Sequence, residues 1–360
     1  MEAFDQKLAL VFPGQGAQFV GMGAGLYEQF PEARAVYDQA DEVLGFSLSR
    51  ACFEGPAEVL DDTATTQPAI YTTSYALWRA LVARICQDMP RIGYVAGHSL
   101  GEYTALAAAG ALSFEDGLRL VRCRGEAMRD AGAAAPGGMA VILGLDDDAV
   151  AAIVADAGVW MANLNSPGQV VIAGESGALE RACRLATERG ARRAQPLAVS
   201  VACHTPLMQA AAERLGRALE ATPIARAMAP VVSNVTAQPT ADPAEIRANL
   251  LRQLCEPVRW TASVRAMAAG GVRVIRARVC DGAGTRVAPA AGCRPWRCVP
   301  LCGERPDRYE PPVSAGGFAA STAHGVRALV AVDAERRTGR TMFPSTVAGR
   351  SGPSPSVSPI

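Results

Sequence analysis

One segment, residues 95–110 with the sequence VAGHSLGEYTALAAAG, constrains the fold more than any other. Residues 92–96 are apolar and have the length of one buried strand. The pentapeptide GHSLG follows. Residues 102–109 are rich in helix-forming Ala and Leu, and Gly110 suits a left-handed helix end. G-x-S-x-G also occurs in ordinary turns, but a strand before it and a helix after it are typical of a nucleophile elbow. The pattern therefore predicts that Ser99 is a nucleophile.

Strand and helix patterns alternate over the first 134 residues. Residues 8–12 predict a strand, which runs into a glycine-rich loop at residues 13–23. Helical patterns occupy residues 31–44, 66–84 and 114–131. This alternation predicts an α/β domain with a largely parallel sheet.

The pattern changes near Gly137. Residues 139–199 predict the order βαββαβ, which is typical of a ferredoxin-like unit. A helix at 206–219, a strand at 230–235 and a helix at 243–255 then return the chain to the first domain. We expect an α/β fold with an α/β-hydrolase-like large subdomain and an inserted ferredoxin-like small subdomain. The predicted divisions are residues 1–134 and 200–274 for the large subdomain and 135–199 for the small one.

Composition excludes several classes of function. Lys+Arg and Asp+Glu both number 35, and no basic stripe indicates a nucleic-acid partner. No apolar run has membrane-spanning length, and the N-terminus lacks a signal-peptide pattern, so we expect no membrane partner. The ten cysteines are scattered without a disulfide framework, which favours a reducing cytoplasm.

A serine nucleophile needs a proton acceptor within hydrogen-bond distance, and the chain has three histidines. His98 adjoins Ser99 in a tight turn, where its side chain points elsewhere. His324 lies in an irregular C-terminal stretch. His204, in SVACHTPLM, stands where the chain returns to the first domain, and by elimination it is the candidate base. A structural role for this lone histidine stays open, and no aspartate stands out as a third member of a triad.

Two ligand-binding alternatives fail on spacing. The loop at residues 13–23 has Gly14 and Gly16, but Phe19 takes the third glycine position of a dinucleotide motif, and no G-K-[ST] follows. Zinc could be considered for four C-terminal cysteines, yet they form no paired C-x-x-C. These are Cys280, Cys293, Cys298 and Cys302. We therefore expect neither a metal nor a cofactor.

Four segments together resemble the malonyl-CoA:acyl-carrier-protein transacylases, whose fold also serves as the acyltransferase domain of fatty-acid and polyketide synthases. In order, they are LVFPGQGAQFVGMG, GHSLGEYTALAAAG, ANLNSPGQVVIAG and SVACHTPLM. The resemblance covers roughly residues 7–272. It implies that malonyl passes from malonyl-CoA to the phosphopantetheine thiol of an acyl carrier protein through a malonyl-serine ester, without a cofactor.

The resemblance also implies the catalytic roles. Ser99 would be the nucleophile and His204 the general base and then acid. A main-chain carbonyl near Gln253, in place of a carboxylate, would orient His204. The backbone N–H of Leu100 and a donor from the loop containing Gln15 would form the oxyanion hole.

For the substrate, the resemblance points to Arg124, which by pattern alone is one of three arginines on a helix. Its guanidinium would hold the free malonyl carboxylate bidentately. An acyl group without that carboxylate would leave the cation unpaired, which would give selectivity. Asn163 and Asn165 belong to a family motif at the edge of the cleft, in a structural or substrate-lining role.

The chain departs from the family after Gly271. The family continues with a strand and a loop of the type F-x-E-x-G-P-G, whereas this chain has VIRARVCD from Val274 and then a stretch dense in Arg, Pro, Gly and Cys. We expect residues 275–360 to be a largely disordered tail translated in a shifted reading frame, with a native, divergent extension as the rival. A shifted frame would also remove a strand of the parent sheet.

Other activities share parts of this pattern. A serine esterase or thioesterase would also have G-x-S-x-G and a histidine, but Arg124 and the missing acidic residue disfavour it. An inactive homologue with a defective C-terminus is a further alternative. An acyltransferase of a polyketide assembly line and the transacylase subunit of malonate decarboxylase would carry the same residues.

Overall fold

The computed structural model describes residues 7–85, 92–199 and 201–277 of the 360-residue chain. Almost all of the predicted tail, with His324 and the four C-terminal cysteines, lies outside the described residues.

The described residues form nine strands and twelve α-helices. The strands are β1 Lys7–Phe12, β2 Ile92–Gly97, β3 Gly137–Leu143, β4 Trp160–Ser166, β5 Gln169–Glu175, β6 Arg193–Pro196, β7 Val231–Val232, β8 Pro239–Thr240 and β9 Val272–Ala277. The first seven helices are α1 Ala24–Gln29, α2 Pro31–Leu44, α3 Leu48–Glu54, α4 Ala57–Asp61, α5 Thr63–Ile85, α6 Gly101–Ala108 and α7 Phe114–Ala134. The others are α8 Asp147–Ala157, α9 Ser176–Glu188, α10 Gln209–Ala221, α11 Pro243–Gln253 and α12 Trp260–Ala269, and a 3₁₀ turn, Pro206–Met208, precedes α10.

The larger sheet has the strand order β8-β7-β2-β1-β9 and is parallel except at β8. Alternate side chains of β1 point to opposite faces, as strand geometry requires. Leu8, Leu10 and Phe12 enter the main hydrophobic core, whereas Ala9 and Val11 join a second cluster on the other face. Because apolar layers cover both faces of the sheet, β1 is a continuous apolar run. The predicted α/β class is confirmed.

The smaller sheet has the order β4-β5-β3-β6, and its neighbouring strands are antiparallel. With α8 between β3 and β4 and α9 between β5 and β6, this is the ferredoxin-like βαββαβ arrangement. The inner faces of α8 and α9 share one apolar cluster with the sheet. The subdomain boundaries placed at residues 134/135 and 199/200 stay predictions.

Two backbone hydrogen bonds join the smaller sheet to the segment that follows α11. Val258 N–H donates to Ala162 O (2.9 Å), and Leu164 N–H donates to Val258 O (2.9 Å). Ala162 and Leu164, the partners on the sheet, both lie in β4. The C-terminal end of α11 is thereby held next to this sheet.

The final described strand, β9, differs from the expectation for the tail. It pairs in parallel with β1, from Lys7 with Val272 to Val11 with Ala277. The boundary predicted at residue 275 therefore falls inside a strand, and the sheet does not end at β1. The sequence VRVI begins this strand with β-branched residues, which favour a pleated backbone whatever loop follows.

The junction of β2 and α6 brings two backbones closer than side chains permit. A Cβ atom on Gly97 would overlap the backbone of Gly101 and Glu102. A Cβ atom on Gly101 would overlap the carbonyl oxygens of Phe12 and Pro13 at the end of β1. Both glycines of G-x-S-x-G are thus required because strand and helix touch without side chains between them.

Gly97→Ala should destabilise the protein by about 3 kcal/mol, the upper part of the usual range for overpacking, because only backbone atoms face the new methyl group. Gly177→Ala is the control, since no atom lies within 4 Å of a Cβ there and α9 should gain roughly 0.5–1 kcal/mol. Urea unfolding followed by circular dichroism measures both. Equal stability of the two variants would contradict this account of the elbow.

Candidate active site

Ser99 occupies the turn between β2 and α6 with a φ of 51°, a left-handed conformation rare for a residue with a side chain. Such a conformation costs about 1–3 kcal/mol and persists only where its surroundings fix it. Asn234, just after β7, supplies that constraint. Its Oδ1 accepts from Ser99 N–H (2.6 Å), and its Nδ2 donates to Gly97 O (2.7 Å). The side-chain amide thus clamps the turn on both sides of the serine.

A hydrogen-bonded chain joins Ser99 to His204 and Gln253. Ser99 Oγ lies 2.8 Å from His204 Nε2, and His204 Nδ1 lies 2.7 Å from the backbone oxygen of Gln253. A carbonyl oxygen only accepts, so Nδ1 carries the ring proton and Nε2 is left to accept from the serine hydroxyl. This is the tautomer that a general base for Ser99 needs.

The electrostatic surroundings keep His204 neutral. Burial and, after it, the nearby Arg124 cation lower the pKa of His204 from 6.5 to about 3, against the opposing hydrogen bond to Gln253 O. Nε2 therefore stays unprotonated near neutral pH. His98 instead pairs through Nε2 with Asn165 Oδ1 (2.9 Å), and Trp260 lies edge-on to its ring, so its side chain is engaged away from Ser99.

Arg124 of α7 is 1% exposed, yet it reaches the nucleophile. Nη2 donates to Ser99 Oγ (3.1 Å) and to Gln253 Oε1 (3.3 Å), and Nη1 donates to Gln67 Oε1 (2.8 Å). The guanidinium also lies 5.7 Å from the centre of the Tyr103 ring. Every one of these partners is uncharged, and within the described ranges no carboxylate lies at salt-bridge distance. A buried cation held this way favours an anionic ligand.

Of the two predicted oxyanion-hole positions, one follows the serine directly and the other lies in a loop that contacts the elbow. Leu100 directly precedes α6, and its N–H bonds to no acceptor among the residues that the structure describes. The loop carrying Gln15 lies on the elbow, because a Cβ on Gly14 would overlap the carbonyl of His98. The Gln15 side chain is exposed, so its part in an oxyanion hole stays a prediction.

Four polar groups of this site were missed in the sequence. Besides the side chains of Gln67 and Asn234, they include the Glu102 carboxyl and the side-chain amide of Gln253. Glu102 Oε2 accepts from Gln253 Nε2 (2.6 Å) and from Asn234 N–H (3.2 Å). Burial raises the pKa of Glu102 to about 7. Its one signal in the sequence is that it is the only charged residue of α6.

Residues 7–85, 92–199 and 201–277 contain no group of three or more His, Cys, Asp or Glu side chains that could hold a metal ion. Asn163 lies on β4 and bridges to Val258, and both it and Asn165 are buried between elements.

Among the helices of the described ranges, none has the length and apolar character needed to cross a membrane.

Known proteins match most of the chain. The acyl transferase domain family matches residues 9–276. A malonyl CoA-acyl carrier protein transacylase of Bacillus subtilis is 48% identical over 272 residues, which is 74% of this chain and 84% of that protein.

Two solved structures resemble the fold. An acyl carrier protein S-malonyltransferase from Vibrio cholerae is 44% identical, with a TM-score of 0.72 over 75% of this chain and 89% of that one. A malonyl-transacylase in complex with its type II PKS acyl-carrier protein is 41% identical, with a TM-score of 0.72 over 75% and 87% of the two chains.

The lowered pKa of His204 predicts a loss of stability in acid. The unfolded imidazole binds a proton near pH 6.5, whereas the folded one does so only near pH 3. Between these values the unfolded state holds more protons, so His204 lowers the free energy of unfolding as the pH falls. Relative to His204→Asn, the wild type should lose about 1 kcal/mol per pH unit below pH 6.5 in urea unfolding. A difference that does not vary with pH would show that His204 titrates normally.

Proposed function

The chain belongs to the acyl transferase domain family, and we propose that it transfers malonyl from malonyl-CoA to the phosphopantetheine thiol of an acyl carrier protein. One observation carries the choice of acyl group. The buried guanidinium of Arg124 stands 3.1 Å from Ser99 Oγ, where an acyl group attached to that oxygen must lie. As the scattered cysteines predict, we place this reaction in the cytoplasm.

In the first half-reaction, Ser99 Oγ attacks the thioester carbonyl carbon while His204 Nε2 takes the hydroxyl proton. The carbonyl electrons move to oxygen and return as the carbon–sulfur bond breaks. His204 gives its proton to the departing coenzyme A sulfur, which leaves a malonyl ester on Ser99. The second half reverses these roles. His204 takes the proton of the carrier thiol, the thiolate attacks the ester, and Ser99 recovers its hydroxyl proton.

The negative charge on the carbonyl oxygen needs donors that are already in place. The Leu100 N–H is one, at the start of α6 where the helix dipole also favours negative charge. A donor from the loop of Gln15 is the second. In acyl transfer such donors contribute about 3–4 kcal/mol each to stabilising the transition state.

Arg124 selects the acyl group. The malonyl carboxylate is separated from the reacting carbonyl by one methylene, so a guanidinium beside Ser99 Oγ can reach it. The carboxylate would accept from the two Nη groups, which now donate to neutral oxygens. Acetyl would bring no such oxygen and would leave the cation without an anion.

Ser99→Ala should abolish formation of the acyl-enzyme, because no other hydroxyl lies against His204 Nε2 in the described residues. Intact-protein mass spectrometry after incubation with malonyl-CoA reads the adduct, and peptide mapping locates it. The exposed Ser176→Ala is the matched control and should acquire malonyl as the wild type does. An adduct on the Ser99→Ala variant would place the nucleophile elsewhere.

Arg124→Met keeps much of the side-chain volume but removes the cation. The ratio of kcat/KM for malonyl-CoA over acetyl-CoA should fall at least about tenfold, since a charged hydrogen bond is worth about 1.5–3 kcal/mol. Arg119→Met, on the same helix and well exposed, should leave the ratio unchanged. If the Arg124 variant keeps the wild-type ratio, Arg124 does not bind the malonyl carboxylate.

A further inference from the structure

Glu102 is a buried acid that the transfer steps do not use. It is 3% exposed and lies in the first turn of α6, three residues after the nucleophile. Within the described ranges no cation forms an ion pair with it. Its Oε2 receives two donors, Gln253 Nε2 (2.6 Å) and Asn234 N–H (3.2 Å). Burying a carboxyl is costly, so its retention beside the nucleophile calls for a role.

The Gln253 amide, Glu102's closest partner, is directional. Its Nε2 also donates to Ser99 O (3.0 Å), and its Oε1 accepts from Arg124 Nη2 (3.3 Å). If the amide were rotated by half a turn, its NH₂ group would face the guanidinium, which has only donors. Its oxygen would then face the Ser99 carbonyl and the Glu102 carboxyl. Only one orientation satisfies all these groups.

We propose that Glu102 is a positioning residue for acyl-group selection, which acts by fixing the Gln253 amide so that Oε1 holds Arg124 Nη2 beside Ser99 Oγ. Glu102 does not touch the substrate. Glu102 Oε2 accepts from both of its partners, so it draws Nε2 towards itself and leaves Oε1 for Arg124. This inference rests on the proposed function and concerns its selectivity.

Glu102 could instead act only by supporting the structure of the serine turn. Through Asn234 N–H, Glu102 also supports the residue that clamps the serine turn. If that were its whole contribution, a change at Glu102 would slow every acyl donor alike. If it acts through Gln253 on Arg124, the change falls on donors that carry a carboxylate. Selectivity therefore separates the two roles.

The experiment compares Glu102→Met, Glu102→Gln and Gln253→Met. The last keeps the backbone carbonyl that orients His204 and removes only the side-chain amide. Readouts are kcat/KM for malonyl-CoA and acetyl-CoA, and acylation by p-nitrophenyl acetate, a neutral ester that makes no demand on Arg124. Thermal unfolding reports on folding, and the exposed Glu220→Met is the matched control, with no expected change in selectivity.

Glu102→Met should lower the malonyl-to-acetyl ratio of kcat/KM about tenfold, the size expected for one charge-assisted hydrogen bond. It should lower the rate of acylation by p-nitrophenyl acetate less. Glu102→Gln should keep most of the ratio, because its amide oxygen can still accept from both donors. Gln253→Met should lower the ratio as Glu102→Met does. The double variant Glu102→Met/Gln253→Met should show no further loss of the ratio, since both changes remove the same connection from Glu102 through Gln253 to Arg124.

An unchanged ratio in Glu102→Met or Gln253→Met would overturn the inference, as would an equal loss with all three acyl donors or additive losses in the double variant. If Glu102→Met does not fold, Gln253→Met decides, because it leaves the bond from Asn234 to Glu102 in place. A wild-type protein that acquires no malonyl on Ser99 would overturn the proposed function itself. If the wild type does acquire malonyl on Ser99 but the variants keep the wild-type malonyl-to-acetyl ratio, only the role of Glu102 is overturned.

Discussion

The positive charge of Arg124, held inside the protein by uncharged partners, determines much of the chemistry around Ser99. Gln67 and Gln253 accept hydrogen bonds from its Nη groups without neutralising it, and its buried Nε has no partner among the described residues, so its field acts on the groups beside it. That field contributes to the low pKa of His204. It also makes the pocket a poor place for a neutral acyl group, because a desolvated cation without an anion is costly. Burial lowers the pKa of His204 most and the Arg124 charge adds to it, so the neutrality of the base and the proposed selectivity both depend in part on this cation.

The fold has to bring Ser99, Arg124, His204 and Gln253 together from two helices and two loops. Close backbone contact does much of this work. The glycines of the elbow let β2 and α6 meet, and Asn234 bonds across the turn from the neighbouring strand. Val258, five residues after Gln253, pairs with β4 of the smaller sheet. These bonds hold the chain just after Gln253 against β4, and the backbone oxygen of Gln253 itself bonds to His204 Nδ1.

Local patterns in the sequence were enough to predict the elbow, the parallel sheet and the βαββαβ order. Each depends on periodicity or on glycine within a few residues. The same patterns overestimated the strand at residues 230–235, where only Val231–Val232 pairs, because pairing depends on the partner strand as well as on apolar residues. Gln67, Glu102 and Asn234 could not be found this way. Their roles come from contacts across many residues, and no periodic pattern records such a contact.

The link between Arg124 and His204 has a consequence for the order of events. In the site as it stands, the cation disfavours protonation of His204, which keeps the base free but makes it weak. In the proposed reaction, a malonyl carboxylate paired with Arg124 would offset this charge, and the pKa of His204 would rise towards its ordinary value. Acetyl would bring no such offset and would meet the weaker base. On this proposal, discrimination by Arg124 would act on the chemical step as well as on binding, through the same charge.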